Sequence, residues 1–234
     1  MPTDADNGIF RTSVRLLTFR LSHEEFAGLG NKHLIAGLIF TWIVGIGRWW
    51  DDPNANLLQH LGIGSVVYIF CLALVIWLLV KPLGPANWSY KQVLTFISLT
   101  SPPAILYAIP VERFVELETA VTLNVWFLAT VALWRVVLLF FYLRRSAKLS
   151  YFAVLIVSLL PLMGIVTILT MLNMERAVFD IMGGLRTPGT PNDGAYAVLF
   201  ILTFFSTLLF IPALAAYFAL VVHRQSSQPS DSEP

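Results

Sequence analysis

Several kinds of chemistry are missing from this sequence. It has one cysteine, Cys71, in the middle of an apolar run. One cysteine forms no intramolecular disulfide and seeds no metal cluster, which leaves it as a small apolar side chain. The four histidines (His23, His33, His60, His223) are dispersed. There is no HExxH pair, no GxSxG elbow, no P-loop and no GxGxxG turn. No cofactor is expected on these grounds, and no metal. Charge is scarce too: 12% of the 234 residues are charged, against about 25% in a soluble domain. Nucleic-acid binding is not expected, because the one basic run, Arg144-Arg145-Ser146-Ala147-Lys148, sits at the end of an apolar segment.

What the chain has is apolar residues, at 57%, with a mean hydropathy of +0.74. They fall in long runs, the pattern of a membrane protein rather than of an oily core. Six segments are read as spans: His33–Gly47, Ile63–Val80, about Val93–Val111, Thr119–Leu143, Tyr151–Leu172 and Ala195–Val222. They are expected to be helices, because lipid offers no hydrogen-bond partners and a span must satisfy its own backbone. Continuous runs also argue against the alternation of a β-barrel. The expected fold is therefore all-α, a transmembrane bundle of about six spans. No cleavable signal is expected, since the first run begins only at Leu34. No internal repeat is apparent.

Lysine and arginine set the expected orientation. Arg11, Arg15, Arg20, Lys32, Lys81, Lys91, Arg144, Arg145, Lys148 and Arg224 fall on one side, and Arg48, Arg113, Arg176 and Arg186 on the other. Ten against four places the first side, with both termini, in the cytoplasm of a bacterial inner membrane. Residues 1–32 are read as a cytoplasmic segment, 33–222 as the membrane domain and 223–234 as a disordered tail rich in Ser, Pro and acid. Phe10, Val14, Leu17 and Leu21 recur at helical spacing, with Arg11 and Arg15 on another face. This predicts an amphipathic N-terminal helix, either lying on the inner leaflet or packed against the bundle. Trp49, Trp50 and Trp88 stand at predicted boundaries, as interfacial anchors do.

Few residues carry candidate chemistry. Arg135 lies inside the fourth span, where a charge costs roughly 2.5–3.5 kcal/mol. It is read either as snorkelling toward Arg144 or as an internal ion pair or anion contact. Asn124 lies three turns away on roughly the same face, as part of a polar stripe or as a helix–helix contact. The third span carries Ser98 and Ser101 followed by Pro102-Pro103, so a kinked or broken helix is expected there, structural or site-lining. Pro161 and Pro212 predict further kinks. On the opposite side Arg48, Asp51 and Asp52 form a compact cluster before Pro53, read as a turn or as a cation-facing pair too poor in oxygens for Mg²⁺ or Ca²⁺. Glu112 and Glu116 are read as a solvated loop or as an acid/base pair.

The stretch Trp88–Pro103 (WSYKQVLTFISLTSPP) resembles the Ser/Pro-bearing helix of bacterial membrane proteins with a Yip1-like domain. Trp126 and Trp134, then a short basic turn, then a span with a central Pro161, extend the likeness as a layout over roughly residues 34–222. That family is usually drawn with five spans, and its eukaryotic acidic-aromatic motif is absent here. The resemblance implies a helical membrane scaffold without established catalytic residues. The leading expectation is a non-enzymatic inner-membrane protein that contacts the lipid bilayer and either itself, as a homo-oligomer, or another membrane protein. A transporter or channel built on the third span and Arg135 is the first alternative, and a lipid-modifying enzyme using the outer carboxylates is the second.

Overall fold

The computed structural model describes residues 4–47, 57–174 and 193–226. Most of these residues are helical, with no strand among them. Nine α-helices follow in order: α1 Asp4–Leu17, α2 His23–Ala27, α3 Asn31–Ile46, α4 Leu57–His60, α5 Ile63–Val80, α6 Tyr90–Leu99, α7 Leu117–Arg145, α8 Tyr151–Met171 and α9 Asp193–Ser226. Among the described residues four stretches are long and apolar enough to cross a membrane, namely Ile63–Leu83, Thr122–Arg145, Tyr151–Met171 and Leu199–Ser226. α3 is apolar but shorter.

Serines set several helix starts. Ser89 and Ser150 accept hydrogen bonds from the Gln92 and Ala153 amides, capping α6 and α8. Ser22 and Glu25 form a reciprocal capping box at α2. Gly62 opens α5 at φ +68°, in the left-handed region. A Cβ there would also stand 2.7 Å from the Ile46 nitrogen, so this corner takes only glycine.

The third predicted span is not one α-helix. α6 stops at Leu99, and Pro102–Ala108 continues as a 3-10 helix. Proline supplies no N–H to the helical ladder, so the ladder cannot run through two of them. The carbonyls left behind are taken locally: Ile97 by the Thr100 amide and hydroxyl, Ser98 by the Ser101 amide. Ten α-helical and seven 3-10 residues advance together about 29 Å, close to the ~30 Å of a hydrocarbon core.

This broken element runs parallel to α3 and keeps register with it. Gly37 faces Ser98, Thr41 bonds Ser101, Val44 packs with Ala104, and Gly47 faces Ala108. α5 runs antiparallel to both, with Gly45 against Gly62. α8 and α9 form an antiparallel pair in which Gly164 receives the Phe210 ring. Both helices continue through Pro161 and Pro212. α9 also runs on to Ser226, four residues past the predicted end at Val222. At that end Tyr217 donates to the Leu79 carbonyl and Arg224 to that of Leu83.

The N-terminal residues pack against the longer helices. Leu16, Leu21, Phe26 and Leu29 are buried in one cluster with α6, α7 and α8. Phe26 meets Tyr142 at 5.2 Å, and the Tyr142 ring stacks on Phe96 at 4.0 Å. Trp88, read as an interfacial anchor, also packs against Tyr142 and donates to the Trp77 carbonyl. Trp49 and Trp50 lie outside the described residues.

Candidate functional site

The break in the third span is where the described polar groups converge. Val93 to Ser101 is buried without interruption, and four of those nine residues carry hydroxyls. A hydroxyl has one hydrogen to give, and each of these has a determinable use. Thr95 donates to the Lys91 carbonyl and Ser98 to that of Thr95. Thr41 on α3 donates to the Gly37 carbonyl at 2.9 Å, so Ser101 is the donor in their 2.6 Å contact. Thr100 donates to Ile97, which leaves its oxygen to accept from Arg135 Nε at 3.4 Å.

Arg135 therefore turns inward to the end of α6 and does not snorkel toward Arg144. The end of a helix is the negative end of its dipole, and a cation there gains about 0.3–1 kcal/mol. Among the described residues no carboxylate pairs with Arg135. The guanidinium has five N–H donors, and Thr100 occupies one of them.

The structure sets Ser98 and Ser101 against α3 next to Pro102 and Pro103, and brings Arg135 to the neighbouring Thr100. Asn124 is not among them: it lies eleven residues up α7, about 16 Å along the axis, and has an interaction of its own. Arg48, Asp51 and Asp52 lie outside the described residues. Glu112 is in a 3-10 turn, Val111–Arg113, at the end of the molecule away from Arg144; its side chain is outside the described set. Pro161 and Pro212 sit in the α8–α9 pair, apart from the break.

Two participants escaped the sequence reading, Gly37 and Thr41. A signal existed: Gly37, Thr41 and Gly45 repeat at four-residue spacing, the small-residue pattern of close helix contacts. A Cβ on Gly37 would lie 2.8 Å from the Ser98 Cβ.

Chemically, the seam is a set of hydroxyls that give their hydrogens to nearby backbone carbonyls, with Ser101 donating instead to the Thr41 hydroxyl. Among the described residues none of them donates to a carboxylate or imidazole that could activate it as a nucleophile, and Arg135 is a donor to Thr100, not an acceptor from it. Nor do three or more His, Cys, Asp or Glu gather as metal ligands among those residues. Comparison with known proteins gives no match among family models, curated proteins or solved structures.

Proposed function

We propose that this chain is a bacterial inner-membrane scaffold, a protein that works by helix contacts with a membrane partner or with a second copy of itself. The observation that carries this is the closure of the α3–α6 seam. The hydroxyls of the seam bond backbone carbonyls or, for Ser101 and Thr41, one another, and small residues bring the backbones together. The chain has helices apolar enough to cross a membrane. In this reading α3 and the broken α6 element cross as well, giving six spans. The ten lysines and arginines then lie in the cytoplasm with both termini, and the amphipathic face of α1 rests on the inner leaflet. The likeness in layout to Yip1-like membrane proteins points to the same class.

In-membrane crosslinking tests the proposal. Photo-crosslinkers at Trp126 and Phe204, which are exposed, are expected to trap a discrete protein adduct in native membranes. A chain that purifies as a monomer and yields lipid adducts alone contradicts a scaffold role.

One observation favours a second reading, small-solute transport. Discontinuous helices line transporter sites, and Arg135 meets the discontinuity here. Flux of small anions into proteoliposomes is the test, with loss expected in Arg135→Leu. Absence of flux in the wild type removes this reading.

A further inference from the structure

The turn between α7 and α8 carries Arg144, Arg145 and Lys148 and no carboxylate. Packing fixes its shape. Leu143, Ala147 and Leu149 are buried. The Ser146 amide donates to the Tyr142 carbonyl at 2.7 Å and the Leu149 amide to that of Leu143 at 3.4 Å, so the chain folds back on the end of α7. Lys148, between two buried residues, takes φ +51°, a conformation that a side chain other than glycine keeps only where its surroundings impose it. With Ala147 and Leu149 turned in, Lys148 is exposed.

Arg144 bends over this turn. Its Nη1 donates to the Leu149 carbonyl, and its guanidinium lies 3.8 Å from the centre of the Tyr151 ring. Both contacts place the group beside the stretch of chain that carries Lys148. A guanidinium has five N–H donors, and the Leu149 carbonyl takes one of these. Arg145 lies over Phe141 at 5.3 Å and is exposed. Among the described residues the one ion pair is Arg15 with Glu25, so no carboxylate there neutralises any of the three cations.

The helix register sets the depth of the turn. Tyr142 packs on Phe96 and Trp88, and Trp88 donates to the Trp77 carbonyl near the end of α5. The Arg145 end of α7 is therefore level with the end of α5 and the start of α6, where Lys81 and Lys91 lie. α7 has 29 residues, about 43 Å, and its excess over a ~30 Å hydrocarbon core falls at the Leu117 end. About 29 Å back from Arg145 stands Trp126, 66% exposed, at the position that a boundary tryptophan takes. The turn is then at headgroup level, and the exposed rings of Tyr151 and Phe152 face the acyl boundary beside its cations.

We propose that the α7–α8 turn is a binding site for the phosphate of an anionic phospholipid, held by Arg144, Arg145 and Lys148 with the acyl chains against Tyr151 and Phe152. Arginine binds phosphate through paired N–H donors, and basic pockets between membrane helices on the cytoplasmic side hold anionic headgroups. The site rests on the membrane reading above and needs no protein partner.

Native mass spectrometry tests it. The delipidated full chain in detergent is titrated with phosphatidylglycerol or phosphatidylcholine, and the Kd of the first adduct is read for each. Wild type is expected to bind phosphatidylglycerol more tightly. Arg145→Gln with Lys148→Gln is expected to weaken that binding about fivefold for each cation removed, and Lys148→Gln alone about fivefold, with phosphatidylcholine unaffected and helical circular dichroism unchanged. Arg145→Lys with Lys148→Arg should keep the affinity. Lys32 and Lys91 are exposed at the same end of the bundle, and Lys32→Gln with Lys91→Gln should leave it unchanged. If that pair loses as much, only diffuse positive charge is at work and the proposal falls. Displacement of phosphatidylglycerol by excess inorganic phosphate at fixed ionic strength would assign the turn to soluble phosphate, which overturns the lipid. If the two lipids bind alike, the site is absent while the membrane reading stands. If neither binds, the membrane reading fails with it.

Discussion

From Val93 to Ser101 every residue is buried, but along α9 from Leu199 to Tyr217 burial falls only on Leu199, Ser206, Ala213 and Tyr217. The two regions are similarly apolar and solve different problems. α6 has neighbours on all sides: α3, α5, the N-terminal segment and the Tyr142 end of α7. α9 packs along α8 and touches the end of α5 only near its own C-terminus, and it turns Phe200, Phe204 and Phe205 outward. In a bilayer the outward residues gain nothing by becoming buried, because lipid tails are as apolar as leucine. Close packing and hydrogen bonds must hold α6 in place, which explains why it has the hydroxyls, the prolines and the glycine contacts while α9 has the phenylalanines.

The comparison breaks first at the aromatic centre. Phe96→Ala removes a fully buried ring stacked on Tyr142, and is expected to destabilise the fold by about 3–5 kcal/mol. Phe204→Ala, on the exposed face of α9, is expected to stay within about 0.5 kcal/mol. Unfolding by a denaturing detergent in mixed micelles measures both. Equal effects would mean that α6 is no better packed than α9. Gly37→Leu comes next. Its new side chain would start 2.8 Å from the Ser98 Cβ and 2.9 Å from the Ser98 backbone carbon. Backbone cannot swing aside, so a loss of about 2–3 kcal/mol is expected in the same titration. Ser101→Ala should cost less, about 0.6 kcal/mol, the average for a hydroxyl pair between membrane helices. A neutral result would mean that the Thr41–Ser101 contact fixes register without adding stability.

Much of the frame was legible from hydrophobic runs. α5 has the predicted bounds, Ile63–Val80, and α3, α7 and α8 end within two residues of theirs, because a helix in lipid is delimited by where polar residues return. The break at Pro102-Pro103 was legible for a covalent reason, the missing N–H. The parallel register of α3 with α6 was not, because it joins residues about sixty apart and rests on glycines, which a search for apolar runs passes over. The choice at Arg135 was equally hidden. Its chain length allows either direction, and only the neighbouring Thr100, whose own hydrogen is committed to Ile97, decides that it turns inward. For α1 the expected apolar face is divided: Leu21 is buried, Phe10 and Val14 stay exposed, and Leu16, which lay outside the predicted stripe, faces the core.

The smallest expected effect concerns how the N-terminal segment is held, and it depends on pH. The Glu25 carboxylate is held below the ordinary carboxylate range. The largest cause is the Ser22 backbone N–H, which donates to it at 2.7 Å; partial burial opposes this, and the Ser22 hydroxyl and the charges of Arg15 and Arg11 reinforce it. A carboxylate with a lowered folded-state pKa stabilises the fold above its unfolded pKa, and that contribution disappears as pH falls through the folded value. The loss is therefore expected on the acid side of the ordinary carboxylate range, with nothing changing toward neutrality. Glu25 is substantially solvent-exposed, so screening keeps the effect small, and α6, held by packing, should not respond at all. A spin label at position 10 is expected to gain mobility over that acid window while one at position 126 stays constant. Glu25→Gln should give mobility at position 10 that no longer varies with acid. If both labels loosen together, the N-terminal segment and the buried helix unfold as one unit, and the contrast between them is one of exposure rather than of stability.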